Sequence, residues 1–303
     1  MMPITRDELG TLSRLPPTDA EPARIGVDDE TVRNGIRHQR VTLQGTGPAI
    51  AGTLLLPATD GGRAPAILYC HAHGNRYDIG AAELVDGRPA LQDPPYGPLL
   101  AERGYAVLCI DMPGFGSRQL EGTESALAKA ALWRGQTLSG AMLGDLTAAL
   151  DALTAHPAVD PARIGTLGIS MGATHAYWLA ALDERIAACA HMCAFADIGP
   201  LIDTGSHDLH GIYMTVPGLL EKGDMGDVAA LIAPRPQLAA SGLKDPLTPP
   251  VALNPALSRL RQAYETQRAS NALTVLTSPD TGHQETPEMR AAVLTFLENA
   301  LGA

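Results

Sequence analysis

Residues 168–172 read Gly-Ile-Ser-Met-Gly, and this stretch decides the fold. The strand-like RIGTLG (163–168) precedes the serine and the helix-like ATHAYWLAAL (173–182) follows it. A strand that turns abruptly into a helix holds its turn residue, Ser170, in a strained conformation at the carboxyl edge of the sheet. The flanking glycines leave room for the backbones to approach, and the helix start offers N–H groups to an oxyanion. The pattern predicts that Ser170 is a nucleophile.

Around this turn, short apolar runs alternate with helix-like segments. A predicted hairpin (37–45 and 50–58) is followed by strand-like runs at 64–70, 105–112, 162–170, 185–193, 235–242 and 272–278. Short strands that are apolar on both faces are typical of a parallel sheet covered by helices on both sides. We therefore predict an α/β fold, with a mostly parallel central sheet of about eight strands flanked by helices on both faces.

Two segments depart from the alternation. Residues 1–35 are polar and contain proline, which predicts an N-terminal extension before a single domain at 36–303. Residues 195–230 lie between the sixth and seventh predicted strands without a clear period. A run of that length is functional or disordered, and its apolar content argues against disorder. We predict that 195–230 is a cap over the site.

A serine hydroxyl needs a base, and the base needs an acid to orient it. Asp245 and His283 each follow a predicted strand, so both fall on the sheet edge that carries Ser170. Their chain order, Ser then Asp then His, is that of the Gly-x-Ser-x-Gly hydrolases. We predict a Ser170-His283-Asp245 triad, with Asp280 as the alternative acid. The weaker candidates for the base are His38, His156, His207 and His210.

An oxyanion hole needs two backbone donors. The residue after the nucleophile, Met171, should provide one, and His73 in the loop after the third predicted strand should provide the other. His71 and His73 are better explained as packing and hydrogen-bonding residues than as acid–base groups, and a metal site with Asp78 is the minor alternative. We also expect substrate contacts from Arg76 in this loop, and from Tyr213 and Met214 in the cap.

Composition limits the other functions. The net charge of −11 argues against nucleic acid as a partner, because phosphate binding needs a basic surface. The four cysteines lie in or beside apolar runs, which predicts reduced core thiols. No signal-like or membrane-spanning apolar segment is visible, so we expect a soluble, cytoplasmic protein without a cofactor or a metal. The oligomeric state is not readable from the sequence.

The chain resembles the α/β-hydrolase superfamily, and within it the dienelactone-hydrolase-like and acetyl-xylan-esterase-like branch. Besides GISMG, the resemblance rests on LYCHAHGN (68–75), DMPGFGSR (111–118), the helix at 131–153, HGIYMTVPGLL (210–220) and DVAALIAPRPQLAASGLKDPLTP (227–249). It implies the same triad and the same two oxyanion donors. Ser170 stands where dienelactone hydrolases proper use cysteine, and Met171 stands where acetyl xylan esterases often carry glutamine.

These observations predict a serine esterase that cleaves small-molecule carboxylic esters through an acyl-enzyme. An amidase or peptidase would use the same triad. A non-catalytic ligand-binding protein on this scaffold is the alternative from another class, although such proteins usually lose a member of the triad.

Overall fold

The apolar runs form one nine-stranded sheet in the computed structural model, which describes residues 4–16, 22–45, 48–58 and 62–302. Its strands are β1 (Arg24–Arg33), β2 (Ile36–Gln44), β3 (Ile50–Leu56), β4 (Ala64–Cys70), β5 (Ala106–Ile110), β6 (Val159–Ile169), β7 (Ile186–Met192), β8 (Gln237–Gly242) and β9 (Leu273–Ser278). They lie in the order β1-β2-β3-β5-β4-β6-β7-β8-β9. β1, β2, β3 and β5 pair antiparallel, and every pair from β5 to β9 is parallel.

Helices cover both faces of the sheet. They are α1 (Arg6–Ser13), α2 (Glu83–Asp86), α3 (Tyr96–Ala101), α4 (Glu124–Trp133), α5 (Leu138–Thr154), α6 (Met171–Leu182), α7 (Ile198–Thr204), α8 (Met225–Ala230), α9 (Pro250–Thr266) and α10 (Pro287–Leu301). The apolar cores on the two faces include α5, α6, α8 and α9 on one side, and α2, α3 and α10 on the other. Every residue of β4, β5 and β8 is buried, because helices pack on both of their faces. The predicted α/β architecture is confirmed.

The sheet extends further toward the N-terminus than the sequence predicts. Residues 1–35, expected to be an extension, contain α1 and the edge strand β1, which pairs with β2 along its whole length. Most residues of β1 are exposed, so the strand lacks the alternation of apolar and polar residues that would have marked it. One strand is therefore added to the predicted eight.

The helix expected at 131–153 is divided between the end of α4 and α5. Gly135 adopts a φ of 71° between α4 and α5, and the hydroxyl of Thr137 caps α5 by accepting the N–H of Gly140 at 2.8 Å. A left-handed glycine ends a helix, and a threonine cap begins the next one. Gly135 therefore separates α4 from α5, and α5 packs on the sheet.

The predicted cap, residues 195–230, lies between β7 and β8. It consists of α7, three 3₁₀ turns (Ser206–Leu209, Ile212–Met214 and Leu219–Glu221) and α8. Among the described residues, no helix has both the length and the apolar character needed to cross a membrane. All four cysteines are buried and free.

Two backbones meet where α6 begins. A Cβ atom on Gly172 would overlap the carbonyl oxygen of Cys70 at the end of β4, and one on Gly168 would overlap the backbone of Gly172. The two glycines of the Gly-x-Ser-x-Gly stretch therefore allow α6 to start against the end of β4. This contact brings Ser170 beside the loop that follows β4.

We predict that Gly172→Ala lowers the midpoint of thermal unfolding by about 5 °C, because inserting a methyl group between packed backbones costs about 1–3 kcal/mol. Circular dichroism during heating measures the midpoint. Gly62→Ala is the matched control, since a Cβ there meets no atom within 4 Å. Equal midpoints for the two variants would contradict the packing argument.

Candidate active site

Ser170 occupies the turn between β6 and α6 in a strained conformation. Its φ is 58° and its ψ is −127°, a region that non-glycine residues rarely adopt. The turn is held on both sides: the Ser170 N–H donates to Met192 O at 2.9 Å, and its carbonyl accepts the N–H of Thr174 at 3.1 Å. Strain of this kind persists only where the surroundings impose it. The result is a hydroxyl projected from the end of the sheet.

The structure brings the three predicted triad residues into one chain of hydrogen bonds. His283 Nδ1 lies 2.7 Å from Asp245 Oδ2, and His283 Nε2 lies 2.9 Å from Ser170 Oγ. A carboxylate can only accept, so Nδ1 donates and Nε2 is free to accept the hydroxyl proton. Asp245 is buried, and its other oxygen accepts the N–H of Leu247 at 2.9 Å. The arrangement gives Ser170 a base in the tautomer that proton removal requires.

In the part of the chain that the structure describes, no hydrogen bond joins the alternative acid or bases to Ser170. Asp280 pairs with Lys244 Nζ at 2.7 Å, and 84% of its side chain is exposed. His38 is on β2, and His156 accepts the N–H of Ala158 in the turn before β6. His210 bonds the carbonyl of Leu247, and burial lowers its pKa. The contact with Asp245 therefore distinguishes His283 from these histidines.

Two backbone N–H groups near Ser170 have no hydrogen-bond partner among the described residues: Met171 follows Ser170 in the chain, and His73 lines the cavity that contains Ser170. Neither Met171 N at the start of α6 nor His73 N in the loop after β4 donates to any residue that the structure describes. The first N–H groups of a helix have no partner within the helix, so the Met171 N–H remains without a hydrogen bond. The direction of the His73 N–H depends on how the Ala72–His73 peptide is held.

The Ala72–His73 peptide is held by its carbonyl. Ala72 O accepts from Arg88 Nη2 at 2.9 Å and from His71 Nδ1 at 3.0 Å. The N–H of Met112 donates to His71 Nε2 at 3.2 Å, which places the His71 proton on Nδ1. In a trans peptide the N–H points away from the C=O. Fixing the Ala72 carbonyl therefore fixes the direction of His73 N–H on the opposite side.

Arg88 is in turn held by a buried carboxylate. It pairs with Glu83, and its second terminal nitrogen donates to His73 O at 3.1 Å. Glu83 also accepts the hydroxyl of Tyr69 at 2.7 Å and the N–H of Ala72 at 3.1 Å. Buried charges are tolerated when they are paired and their hydrogen bonds are satisfied. The Glu83–Arg88 pair thus fixes the backbone of the loop 71–73 through hydrogen bonds to Ala72 and His73.

The side chain of His73 contacts a second buried carboxylate, Glu124, at the start of α4. His73 Nε2 lies 2.7 Å from Glu124 Oε2, and the N–H of Asn75 donates to its Nδ1 at 3.0 Å. Glu124 also accepts from Tyr77 OH and Tyr213 N, each at 3.0 Å. Burial alone would raise the pKa of Glu124, but the hydrogen bonds from His73, Tyr213 and Tyr77 hold it below its usual value. This ionised group ties the loop after β4 to the cap.

A cavity of about 600 Å³ contains Ser170 and His283. Tyr213 lines it, and its ring stacks on that of His73 with the centroids 5.8 Å apart. Met214 lines a neighbouring cavity within the cap. Arg76 pairs with Asp78 at 2.8 Å, is more than half exposed, and borders another cavity. Of the three predicted substrate contacts, the structure places only Tyr213 in the cavity of the triad.

The minor metal alternative joined His71, His73 and Asp78. Each of these side chains has another partner, in Ala72 and Met112, in Glu124, and in Arg76 respectively. Within the described residues, no group of three histidine, cysteine, aspartate or glutamate side chains is arranged to hold a metal ion.

Sequence reasoning missed Glu83, Arg88 and Glu124. Glu124 follows Thr123, whose hydroxyl caps α4, so in the sequence it is typical of a helix start. Glu83 and Arg88 lie in a stretch without a motif. None of the three carries a sequence signal for the site, since their partners are distant in the chain and only the fold brings them together.

Comparison with known proteins agrees with this fold. Residues 65–222, more than half of the chain, match the family model of the α/β hydrolase fold. The chain is 37% identical over 293 residues to YtaP of Bacillus subtilis (strain 168), which carries the name of a hydrolase without a stated substrate; the match covers 97% of this chain and 96% of YtaP.

Two solved structures share the fold at low identity. A glucuronoyl esterase from Solibacter usitatus has a TM-score of 0.67 and 16% identity, and the match covers 98% of this chain and 92% of that one. Acetyl xylan esterase 1 from Thermoanaerobacterium sp. has a TM-score of 0.64 and 16% identity, with 99% and 95% covered. The strained serine turn lies in the part of the chain that the family model matches. The chain belongs to the α/β-hydrolase family.

Proposed function

We propose that this protein is a serine hydrolase that cleaves carboxylic esters of small molecules, with Ser170, His283 and Asp245 as its triad. The observation that carries the proposal is the unbroken line of hydrogen bonds from Asp245 through His283 to Ser170 Oγ, which stands on a strained turn. The ester chemistry is supported by the similar structures, which are named as esterases.

In the first step, His283 Nε2 removes the proton of Ser170, and Oγ attacks the ester carbonyl carbon. The carbonyl oxygen becomes an oxyanion, which the N–H groups of Met171 and His73 stabilise. Asp245 keeps the proton of His283 on Nδ1 and stabilises the imidazolium that forms. The C–O bond then breaks, the alcohol leaves with the proton from Nε2, and the acyl group remains on Ser170.

In the second step, water takes the place of the alcohol. His283 removes a proton from water as it attacks the acyl carbon, and the same two N–H groups bind the second oxyanion. Collapse returns the proton to Ser170 Oγ and releases the carboxylic acid. Atoms and charges balance without a cofactor.

We expect Ser170→Ala to remove almost all turnover of p-nitrophenyl acetate. The residual rate should be about 10³–10⁴-fold above the uncatalysed rate in water, because binding and the oxyanion donors remain. Release of p-nitrophenol measures the rate. The matched control is Ser206→Ala, because Ser206 lies in the cap turn Ser206–Leu209 but does not line the triad cavity. Undiminished turnover in Ser170→Ala would remove the proposed nucleophile.

The ester assignment and its two alternatives are separated with a fluorophosphonate probe and a matched acetyl anilide. The proposal expects labelling of Ser170 and a much higher kcat/KM on the ester than on the anilide. Equal or faster cleavage of the anilide would identify an amidase. A wild-type protein that is neither labelled nor active would be a binding protein.

We expect Arg88→Met to lower kcat by up to about 10²-fold while KM changes little, because the released Ala72–His73 peptide no longer aims an N–H at the oxyanion, a group that exists only in the transition state. Steady-state kinetics on p-nitrophenyl acetate measures both constants. Arg88→Lys should restore part of kcat, since its ammonium keeps the charge beside Glu83.

The control for Arg88 is Arg163→Met. Arg163 also joins a carboxylate, Asp160, to backbone carbonyls, those of Gly302 and Arg63, but it does so at the opposite end of β6. The Arg163→Met variant should keep the wild-type kcat. If both variants lose kcat equally, or if Arg88→Met changes KM alone, Arg88 does not position the oxyanion donor.

A further inference from the structure

A second cavity, within the cap, adjoins the cavity of the triad. It has a volume of about 540 Å³ and shares Asp208, His210 and Gly211 with the triad cavity. The two spaces therefore lie on either side of one short segment of the cap. Neither the triad nor the oxyanion donors use the second space, which we call the cap cavity.

The lining of the cap cavity is largely apolar. The large aliphatic side chains are those of Ile198, Ile202, Ile212, Val216, Leu219 and Leu220. Ile202, Ile212 and Leu220 are 46%, 37% and 43% exposed, so they present apolar surface to whatever enters. Exposed apolar surface grouped around a cavity, next to a reactive serine, indicates a binding site rather than scattered surface residues.

The shared segment lies on the His283 side of the site. His210 Nε2 is 2.9 Å from the carbonyl of Leu247, and the N–H of Leu247 donates to Asp245, the partner of His283. The alcohol oxygen of an ester must come within reach of His283 Nε2, because it leaves with that proton. The alcohol group therefore extends toward the segment that the two cavities share.

The acyl side is enclosed differently. The carbonyl oxygen must face the N–H groups of His73 and Met171. The ring centroids of His73 and Tyr77 are 5.0 Å apart, those of His73 and Phe115 are 5.1 Å apart, and those of Tyr77 and Phe115 are 4.9 Å apart. Tyr213 stacks on His73 from the cap. His73, Tyr77 and Tyr213 also line the triad cavity, so their packed rings border the space for the acyl group.

The charges around both cavities have one sign. Among the described residues that line them, none is a lysine or an arginine, whereas Glu124, Asp208 and Glu221 are carboxylates. Asp208 stands on the shared segment. An anionic alcohol group would meet these carboxylates without a compensating cation.

We propose that the cap cavity binds the alcohol group of the ester, and that the preferred substrates are esters of a short acid with an apolar alcohol that carries no negative charge. This inference rests on the proposed esterase function and adds the substrate class to it. A methylene group that leaves water for an apolar site increases the binding constant by about fourfold.

The test compares two series of esters. In the alcohol series, ethyl, butyl and hexyl acetate are hydrolysed by the wild-type protein, and kcat/KM is measured by pH-stat titration. We expect hexyl acetate to exceed ethyl acetate by more than about tenfold, since four methylene groups are added. In the acyl series, ethyl acetate, butyrate and hexanoate should show no such increase.

The variant Leu220→Ser tests whether the cap cavity is responsible. It should lower the ratio of kcat/KM for hexyl over ethyl acetate several-fold, whereas Leu120→Ser should keep the wild-type ratio. Leu120 is the matched control because its side chain is 98% exposed and lines neither cavity. Both leucines lie at the surface, so neither change disturbs the core.

Charge is tested with two acetates of six-carbon alcohols that end in an ammonium or a carboxylate. The ammonium ester should be hydrolysed several-fold faster, and Asp208→Asn should narrow that difference. A carboxylate ester that is hydrolysed as fast as the ammonium ester would overturn the charge preference.

The outcomes separate the two proposals. If no ester is hydrolysed, the esterase function fails and this inference fails with it. If hydrolysis depends on Ser170 but the hexyl-to-ethyl ratio is near one, or if Leu220→Ser keeps the wild-type ratio, the inference alone is overturned. An increase along the acyl series that Leu220→Ser removes would assign the cap cavity to the acid instead.

Discussion

The contact between Gly172 and the carbonyl of Cys70 is the constraint on which the site depends. Because α6 starts directly against the end of β4, the chain has to turn within one residue, and Ser170 takes the strained φ of 58°. Strain of this kind costs about 1–3 kcal/mol. It is offset by the burial of α6, whose residues from Met171 to Ala181 are all buried. The same contact places the start of α6, with Ser170 and Met171 N, beside the loop after β4.

The loop after β4 is held by charge rather than by apolar packing alone. A buried ion pair is often no more stabilising than apolar residues of the same volume, because both charges lose their hydration. The Glu83–Arg88 pair uses its remaining groups on the backbone: Arg88 donates to the carbonyls of Ala72 and His73, and Glu83 accepts the N–H of Ala72. The value of the pair is therefore geometric, since a planar guanidinium can fix the direction of two successive carbonyls.

Local patterns predict the reacting residues because each lies just past the end of a strand. Ser170, Asp245 and His283 follow β6, β8 and β9, and parallel strands bring their carboxyl ends to one edge. The residues that position them have no such pattern. Arg88 reaches the carbonyl of Ala72 across 16 positions and Glu124 reaches His73 across 51, so only the tertiary fold defines these contacts. Arg76, which the sequence predicts as a substrate contact, pairs with Asp78 two residues away and borders another cavity. The sequence pattern did not predict the edge strand β1, because most of its residues are exposed on both faces.

The cap, residues 195–230, can change in sequence while the residues at the sheet edge stay in place. Its two ends are fastened to each other: Asp197 accepts the N–H of Gly226 at 2.9 Å, and Asp224 accepts those of Ile198 and Gly199 at 2.6 and 2.9 Å. The chain between these ends carries most apolar residues of the cap cavity, namely Ile202, Ile212, Val216, Leu219 and Leu220. Loops supported by a rigid scaffold are where proteins change specificity, since substitutions there leave the core intact. In this chain the predicted triad therefore belongs to the sheet edge, and the cap cavity belongs to a segment whose two ends are joined through Asp197 and Asp224.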